Sequence, residues 1–303
     1  MAEELIPPVG EENVGYRIFQ LLDHIMQDKN DLGLPAKWSR NYELSRNKHW
    51  RTPSAKATLV SANLLFAHRL RSVNMLTDNN PTFNITQLGD PEETDEDIYD
   101  KLLHAAEHWW LEQEQQSVLE MSVTNGETYG CTIEKMLFNP ELDAPMGEVE
   151  TEVVDPFHFG FYPVKCRDIN KAEAVFHYRP MSIREAKRRW PDVAEFIRAD
   201  SEILKELGDE RREVQGGNAN QPKGYFSTVS GVVKNMLNIA GESVSESDET
   251  LVVEVWVKDY TSDEEGNFLF PGGIRCVTVC SGGHVVLSDR PNPNINPELP
   301  IEQ

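Results

Sequence analysis

Val253 to Val257 reads Val, Glu, Val, Trp, Val, and this alternation constrains the fold more than any other stretch of the chain. Side chains along a strand point to opposite faces with a period of two, so the pattern predicts a strand, Leu251 to Tyr260, with one buried face. A strand needs neighbours, and the sequence supplies them. Ile274 to Cys280 and His284 to Ser288 carry β-branched residues and flank the turn glycines Gly282 and Gly283. Earlier in the chain, Thr128 to Phe138, Gly147 to Val154 and Ala172 to Tyr178 also read as strands. The second of these is expected to be the hairpin partner of the first. Thr82 to Thr86 alternates like a short strand.

The first third follows the helical period instead. Ile18, Leu21, Leu22 and Ile25 share one side of a helix over Gly15 to Asp28, interrupted afterwards by Gly33 and Pro35. Trp38 to Trp50 reads as a polar helix carrying aromatics. Thr58 to Leu76 gives another, with Leu59, Asn63, Ala67, Leu70 and Asn74 on one face. Thr94 and Asp97 signal the start of the longest helix, expected to run to Asn125 with the seam Ile98, Leu102, Ala105 and Trp109. Ser182 and Glu185 form a capping box for a short helix ending at Trp190-Pro191, followed by a helical piece from Asp192 to Leu207. The expected class is therefore α+β, long helices with antiparallel strands. Four regions follow in order: a helical region over 1–126, a strand-helix region over 127–207, a loop or flexible insertion over 208–249, and antiparallel strands with an extended Pro-rich end over 250–303. A small amphipathic helix is expected near Val232 to Ile239 within the insertion.

Charge narrows the function. The net charge of −22 opposes tight nucleic-acid binding, because that affinity comes largely from Lys and Arg displacing counterions. The charge is unevenly spread. Lys37 to Arg71 holds eight basic residues against Glu43 alone, whereas Asp90 to Glu127 holds twelve acids against Lys101 alone. Such polarity suits one face of a subunit meeting the opposite face of its neighbour; it equally suits two solvated surfaces. Four cysteines in 303 residues make no disulfide framework, and a cytosolic, reduced protein is the default. No apolar run is long enough for a membrane span.

The sharpest chemical motif is His104-Ala-Ala-Glu107-His108. Two histidines four apart on a helix can share a zinc ion with the glutamate as general base, the pattern of a zinc-dependent hydrolase. A third ligand is required, and Glu127, Glu134 and Asp155 are the candidates. Trp109 and Trp110 directly after the motif favour a packed helix instead. Cys276 and Cys280 are spaced wrongly for a zinc knuckle or redox pair and read as buried small hydrophobes; His284 and Cys166 would complete a site only by accident of folding. Gly272-Gly273 and Gly282-Gly283 lack the context of a phosphate cradle. The basic cluster Arg184, Lys187, Arg188 and Arg189 beside Trp190 reads first as a solvated face and second as a contact for DNA or an acidic neighbour. No catalytic, cofactor-binding or metal residues are assigned.

Taken in order, several segments resemble the portal (head-to-tail connector) proteins of short-tailed phages, in the P22-like portal group. The segments are Trp38 to Tyr42 with His49-Trp50; Asn63 to Pro81; Thr128-Tyr129-Gly130; Val153 to Pro163; Arg179 to Pro191; Val253 to Asp259; and Gly282 to Leu287. Tyr162-Pro163 stands where the family carries Asp-Pro. The resemblance covers most of residues 38–290 and implies a wing-like and stem-like α+β subunit. It also implies a non-enzymatic homo-oligomeric ring, typically of twelve copies, at the capsid portal vertex of the virion and in the host cytoplasm during assembly. The implied partners are the terminase large subunit, tail and adaptor proteins, capsid and scaffolding proteins, and double-stranded DNA in passage, with no membrane and no cofactor. Portal chains continue well beyond the length seen here, so the segments that complete stem, tunnel lining and crown are expected outside this sequence. The rival expectations are the zinc-dependent hydrolase and a monomeric acidic adaptor that binds a basic partner.

Overall fold

The apolar stripe read at the N-terminus becomes helix α1 (Val14–Asp31), whose Ile18, Phe19, Leu21, Leu22 and Ile25 are all buried. Each such side chain contributes roughly 1.5–3 kcal/mol on leaving water. The computed structural model describes residues 5–9, 13–50, 62–85, 95–139, 142, 146–166, 168–200, 249–262, 269–282, 284–292 and 301–302. Most of the 208–249 insertion, the helix expected near Val232 to Ile239, and most of the Pro-rich end lie outside these residues. The elements after α1 are α2 (Leu34–Ser45), α3 (Leu64–Thr77), α4 (Asp95–Glu112), α5 (Gln115–Tyr129), β1 (Glu134–Asn139), β2 (Glu148–Val153), β3 (Phe159–Tyr162), β4 (Ala174–Ser182), α6 (Ile183–Arg189), β5 (Glu249–Lys258), β6 (Ile274–Cys280), β7 (Val285–Pro291) and β8 (Ile301–Glu302). The class is α+β with two antiparallel sheets. The chain divides into two compact units, both discontinuous, and these cut across the four consecutive regions read from the sequence. Unit 1 is Met1–Leu32 with His158–Leu299, and unit 2 is Gly33–Phe157 with Pro300–Gln303.

Unit 1 is built on a five-stranded sheet of order β3-β4-β5-β6-β7. Phe176 pairs with Val255 and Val255 with Val277, so these residues form a row across three strands. That row, with Tyr178, Val253 and Val279, packs against the buried stripe of α1. The other face is covered too. Val252, Met181, Ile197, Cys280 and Leu287 form a second cluster with Ala186 of α6. The alternation in β5 therefore marks a central strand buried on both sides, not on one as its sequence suggests. Trp256 is buried because its indole Nε1 donates to Glu254 Oε1 at 2.7 Å, which gives the polar handle a partner. Lys29 is buried at the end of α1 and donates from Nζ to the Phe159 carbonyl at 2.8 Å.

The β6–β7 turn fits closely onto α1. A Cβ on Gly15 would lie 2.0 Å from the His284 carbonyl oxygen, so the helix can approach this turn only through a residue without a side chain. His284 itself has φ 55° and packs edge-on to Phe19 (5.2 Å) and Tyr16 (6.1 Å). Burial pushes its imidazole pKa down. The folded state thus favours neutral His284. Its stabilising contribution is complete above the unfolded pKa near 6.5 and is lost as pH falls below that value. Urea unfolding at about pH 7.5 and about pH 5.5 is expected to show a smaller acid-induced loss for His284→Asn than for the parent chain. Asn tolerates positive φ and does not titrate. Equal losses in the two proteins would remove His284 from the pH dependence.

Unit 2 combines α2 to α5 with a three-stranded sheet of order β2-β1-β8. Gly33, at φ 68°, stands at the α2 N-cap with Pro35 in the first turn, so the predicted interruption is a helix start. Three expectations fail in this unit. The long helix does not run unbroken to Asn125: Glu114 adopts φ 47°, which ends α4 and starts α5, and α5 continues through Gly126 to a left-handed Gly130. Asn125-Gly126 is thus helical, and the strand expected from Thr128 begins only at Glu134. Thr82 to Ile85 has no strand pairing. The hairpin was read correctly, with Met136 opposite Thr151 and Phe138 opposite Val149.

Candidate functional site: an exposed apolar helical face

In unit 2 the helices meet over polar groups. Arg69 Nη1 of α3 donates to Thr128 Oγ1 of α5 at 2.9 Å, Ser72 Oγ to Glu127 Oε1 at 2.8 Å, and Gln116 Nε2 to the Thr77 carbonyl at 2.6 Å. The buried residues of α5 are Gln115, Ser122 and Thr128. The apolar residues face outward instead. On α3, Leu64 is 77% and Met75 71% exposed, and Leu65, Phe66, Leu70 and Leu76 are exposed as well. At 100° per residue these six spread over about 240° of the helix circumference. So broad an apolar face suits a buried helix, yet Val73 and Thr77 are the buried residues of α3. The predicted seam of α4 behaves likewise: Ile98, Leu102 and Ala105 are exposed, and Leu111 is 69% exposed. Among the described residues of unit 2, the buried hydrophobic side chains are Trp38, Val73, Ile133 and Val154. These exposed apolar residues make α3 and α4 the candidate interaction face. The charge asymmetry read from the sequence lies on the same unit, basic on α2 and α3 and acidic on α4.

The His104 motif lies on α4, and His104 Nδ1 is 3.6 Å from Glu107 Oε2, with both side chains exposed. The three candidate third ligands are engaged elsewhere. Glu127 accepts from Ser72, Glu134 accepts from Ser122, and Asp155 accepts the Phe157 amide at 2.9 Å. Among the described residues no three His, Cys, Asp or Glu side chains come together as a metal group. The tryptophans pack as their position after the motif suggested: Trp109 Nε1 donates to the Val149 carbonyl at 2.7 Å, and Trp110 meets Phe83 edge-on. Below α5, Tyr129 and Trp38 both pack on Phe157. Burial first, and Asp155 second, push the Tyr129 hydroxyl up to about 12.

In unit 1, Cys276 and Cys280 are buried on β6, and burial pushes the Cys280 thiol up to about 11, so it is held as an inert thiol. The four side chains of the basic cluster are all exposed. Arg184 and Lys187 of α6, with Arg198, line a cleft of about 480 Å³ floored by Ile183, Ile197 and Ala199, with Ser182 at its rim. Arg188 lies outside it, and Arg189 stacks 5.6 Å from the Trp190 ring.

Two buried polar groups carried no sequence signal. Asp200 accepts from the Leu251 amide at 3.0 Å, from Thr250 Oγ1 at 3.3 Å and from Ser281 Oγ. Burial raises its pKa against these hydrogen bonds. Arg275 sits in mid-strand with no exposed side-chain surface and reaches Asp289, Asp259 and the Pro7 carbonyl. Pairing across the β6–β7 ladder brings Arg275 and Asp289 together, and neither residue type nor spacing announces it. No protein-family profile matches this sequence, and no curated protein matches it. Among the described residues no helix is long and apolar enough to cross a membrane.

Proposed function

We propose that this chain is a structural, non-enzymatic subunit of a homo-oligomeric ring, and that the ring is a phage portal. The observation that supports the ring is the arrangement of unit 2, whose helices pack through polar side chains and leave α3 and α4 apolar toward solvent. Covering those faces with a neighbouring copy removes the apolar surface from water, at roughly 25 cal/mol per Å². The basic α2–α3 segment and the acidic α4 segment are oppositely charged, which suits a head-to-tail contact that closes into a ring when the rotation per copy divides the circle. The portal reading adds the role that the ordered resemblance implies: a ring, typically of twelve, at the capsid vertex. Terminase docks there during packaging, tail and adaptor proteins dock afterwards, and capsid and scaffolding proteins surround it. The acidic balance suits a conduit through which double-stranded DNA passes without sticking.

The test is particle mass by light scattering with negative-stain imaging of the purified chain. Rings with a central hole, many times the 34.5 kDa of one copy, are the expected result. A monomer at high concentration would overturn the ring and favour the acidic adaptor. Stoichiometric zinc in the purified protein, lost on His104→Ala, would instead favour a metal site on α4.

A further inference from the structure

The cleft beside α6 has a composition at odds with the rest of the chain. Its charged lining residues are Arg184, Lys187 and Arg198, and no carboxylate lines it among the described residues. With 29 basic residues against 51 acidic ones, three charged residues drawn at random would all be basic about one time in twenty. Arg184 and Lys187, one helical turn apart, form no hydrogen bond or ion pair among the described residues. The opposite wall is fixed. A Cβ on Gly282 would lie 2.1 Å from the Arg198 carbonyl oxygen, so the β6–β7 turn is pressed against the Arg198 backbone. Asp200, two residues beyond Arg198, accepts from the Leu251 amide and the Thr250 and Ser281 hydroxyls, which ties the end of this wall to β5 and the β6–β7 turn. Ala186 is buried and holds α6 onto β4 and β5, and Ile197 anchors the other wall.

We propose that this cleft is a binding site for a compact multivalent phosphate, a small molecule or headgroup with two or more phosphate charges. Two features of the cleft and the chain select this ligand. The volume of about 480 Å³ is that of a small-molecule site. The net charge of −22 repels an extended polyanion over many ångströms, whereas a compact one stays beside Arg184, Lys187 and Arg198. Arginine offers planar, paired N–H donors to phosphate oxygens and lysine adds a point charge, while the apolar floor of Ile183, Ile197 and Ala199 lowers the local dielectric. The site is independent of whether copies assemble.

Calorimetric titration of the full chain with inorganic pyrophosphate tests the proposal, with inositol hexakisphosphate as the bulkier headgroup-like probe. Saturable one-to-one binding is expected, weakened about tenfold by Arg184→Gln and by Lys187→Gln and less than about twofold by Arg188→Gln, which lies just outside the cleft. The substituted side chains are exposed, so the variants are expected to unfold at the parent's temperature. Tighter binding of pyrophosphate than of the larger probe points to a free phosphate compound, and the reverse to a headgroup. The proposal is overturned if neither probe binds saturably, if Arg188→Gln weakens binding as much as Lys187→Gln, or if an oligoglutamate peptide or a short DNA duplex binds the cleft more tightly than both.

Discussion

Replacing Arg275 with alanine is expected to destabilise unit 1 by about 3–5 kcal/mol, the range for removing one partner of a buried ion pair. The side chain is 0% exposed and makes a forked contact with Asp289, Nε to Oδ1 at 2.9 Å and Nη2 to Oδ2 at 2.7 Å. Nη1 donates to the Pro7 carbonyl at 2.8 Å and lies 3.4 Å from Asp259 Oδ2, and the Phe270 ring stands 5.4 Å from the guanidinium. Burial acts to discharge the group, but the hydrogen bonds and charges of Asp289 and Asp259 outweigh it and hold its pKa above the usual arginine value. Alanine leaves two mostly buried carboxylates facing each other with no cation, plus an unmet Pro7 carbonyl. Lysine keeps the charge and loses the fork, so Arg275→Lys is expected to fall between the parent and alanine. Urea denaturation reads all three, and a loss below about 1 kcal/mol for alanine would show that water replaces the guanidinium at little cost. The double variant Arg275→Met with Asp289→Leu is expected to recover part of the loss, because one of the two stranded charges is then absent while Asp259 remains.

The second large effect concerns assembly and rests on the proposed ring. Leu64→Glu on α3 and Leu111→Glu on α4 are each expected to convert rings into particles near 34.5 kDa. Both side chains are among the most exposed apolar residues in the single chain, so a charge there costs the isolated subunit little. In a ring the same charge enters an apolar contact, where an unpaired carboxylate costs several kcal/mol per interface, repeated at every interface of the ring. Light scattering gives the mass and circular dichroism checks the fold. Variants that still assemble would place the contact elsewhere, and variants that unfold would assign these residues to the subunit's own stability.

The sequence was most legible where one element's pattern sufficed. The stripe Ile18 to Ile25, the hairpin of β1 and β2, the Ser182 cap and strand β6 all followed from period, cap and turn chemistry, with Ser182 Oγ accepting the Glu185 amide at 3.2 Å. It was least legible where two elements had to agree. Apolar periodicity on α4 says which residues share a side, not whether this chain covers that side, and Ile98 and Leu102 remain exposed. The break at Glu114 had no warning, because a non-glycine residue with positive φ carries no compositional mark. The basic cleft needed Ile197 to Ala199 brought beside α6, a tertiary event that placed Arg198 opposite Arg184 and Lys187. The order of segments that suggested a portal depends on no single one of these contacts.

Unit 1 has one more consequence, which concerns the ribosome. Helix α1 is made first, but the strands that bury it end at Pro291, and Arg275 of β6 fastens Pro7 of the opening segment. During synthesis at ~5–20 residues per second, the chain from α1 to β7 takes on the order of 10–50 s to emerge. Until β5 to β7 have emerged, Ile18, Phe19, Leu22 and Ile25 lack the full sheet they pack against. A nascent chain arrested before β5 is therefore expected to be a chaperone client and open to proteases, and one released after β7 to become resistant within the time needed to close a loop of this length. The architecture makes completion of β7 the event that commits α1.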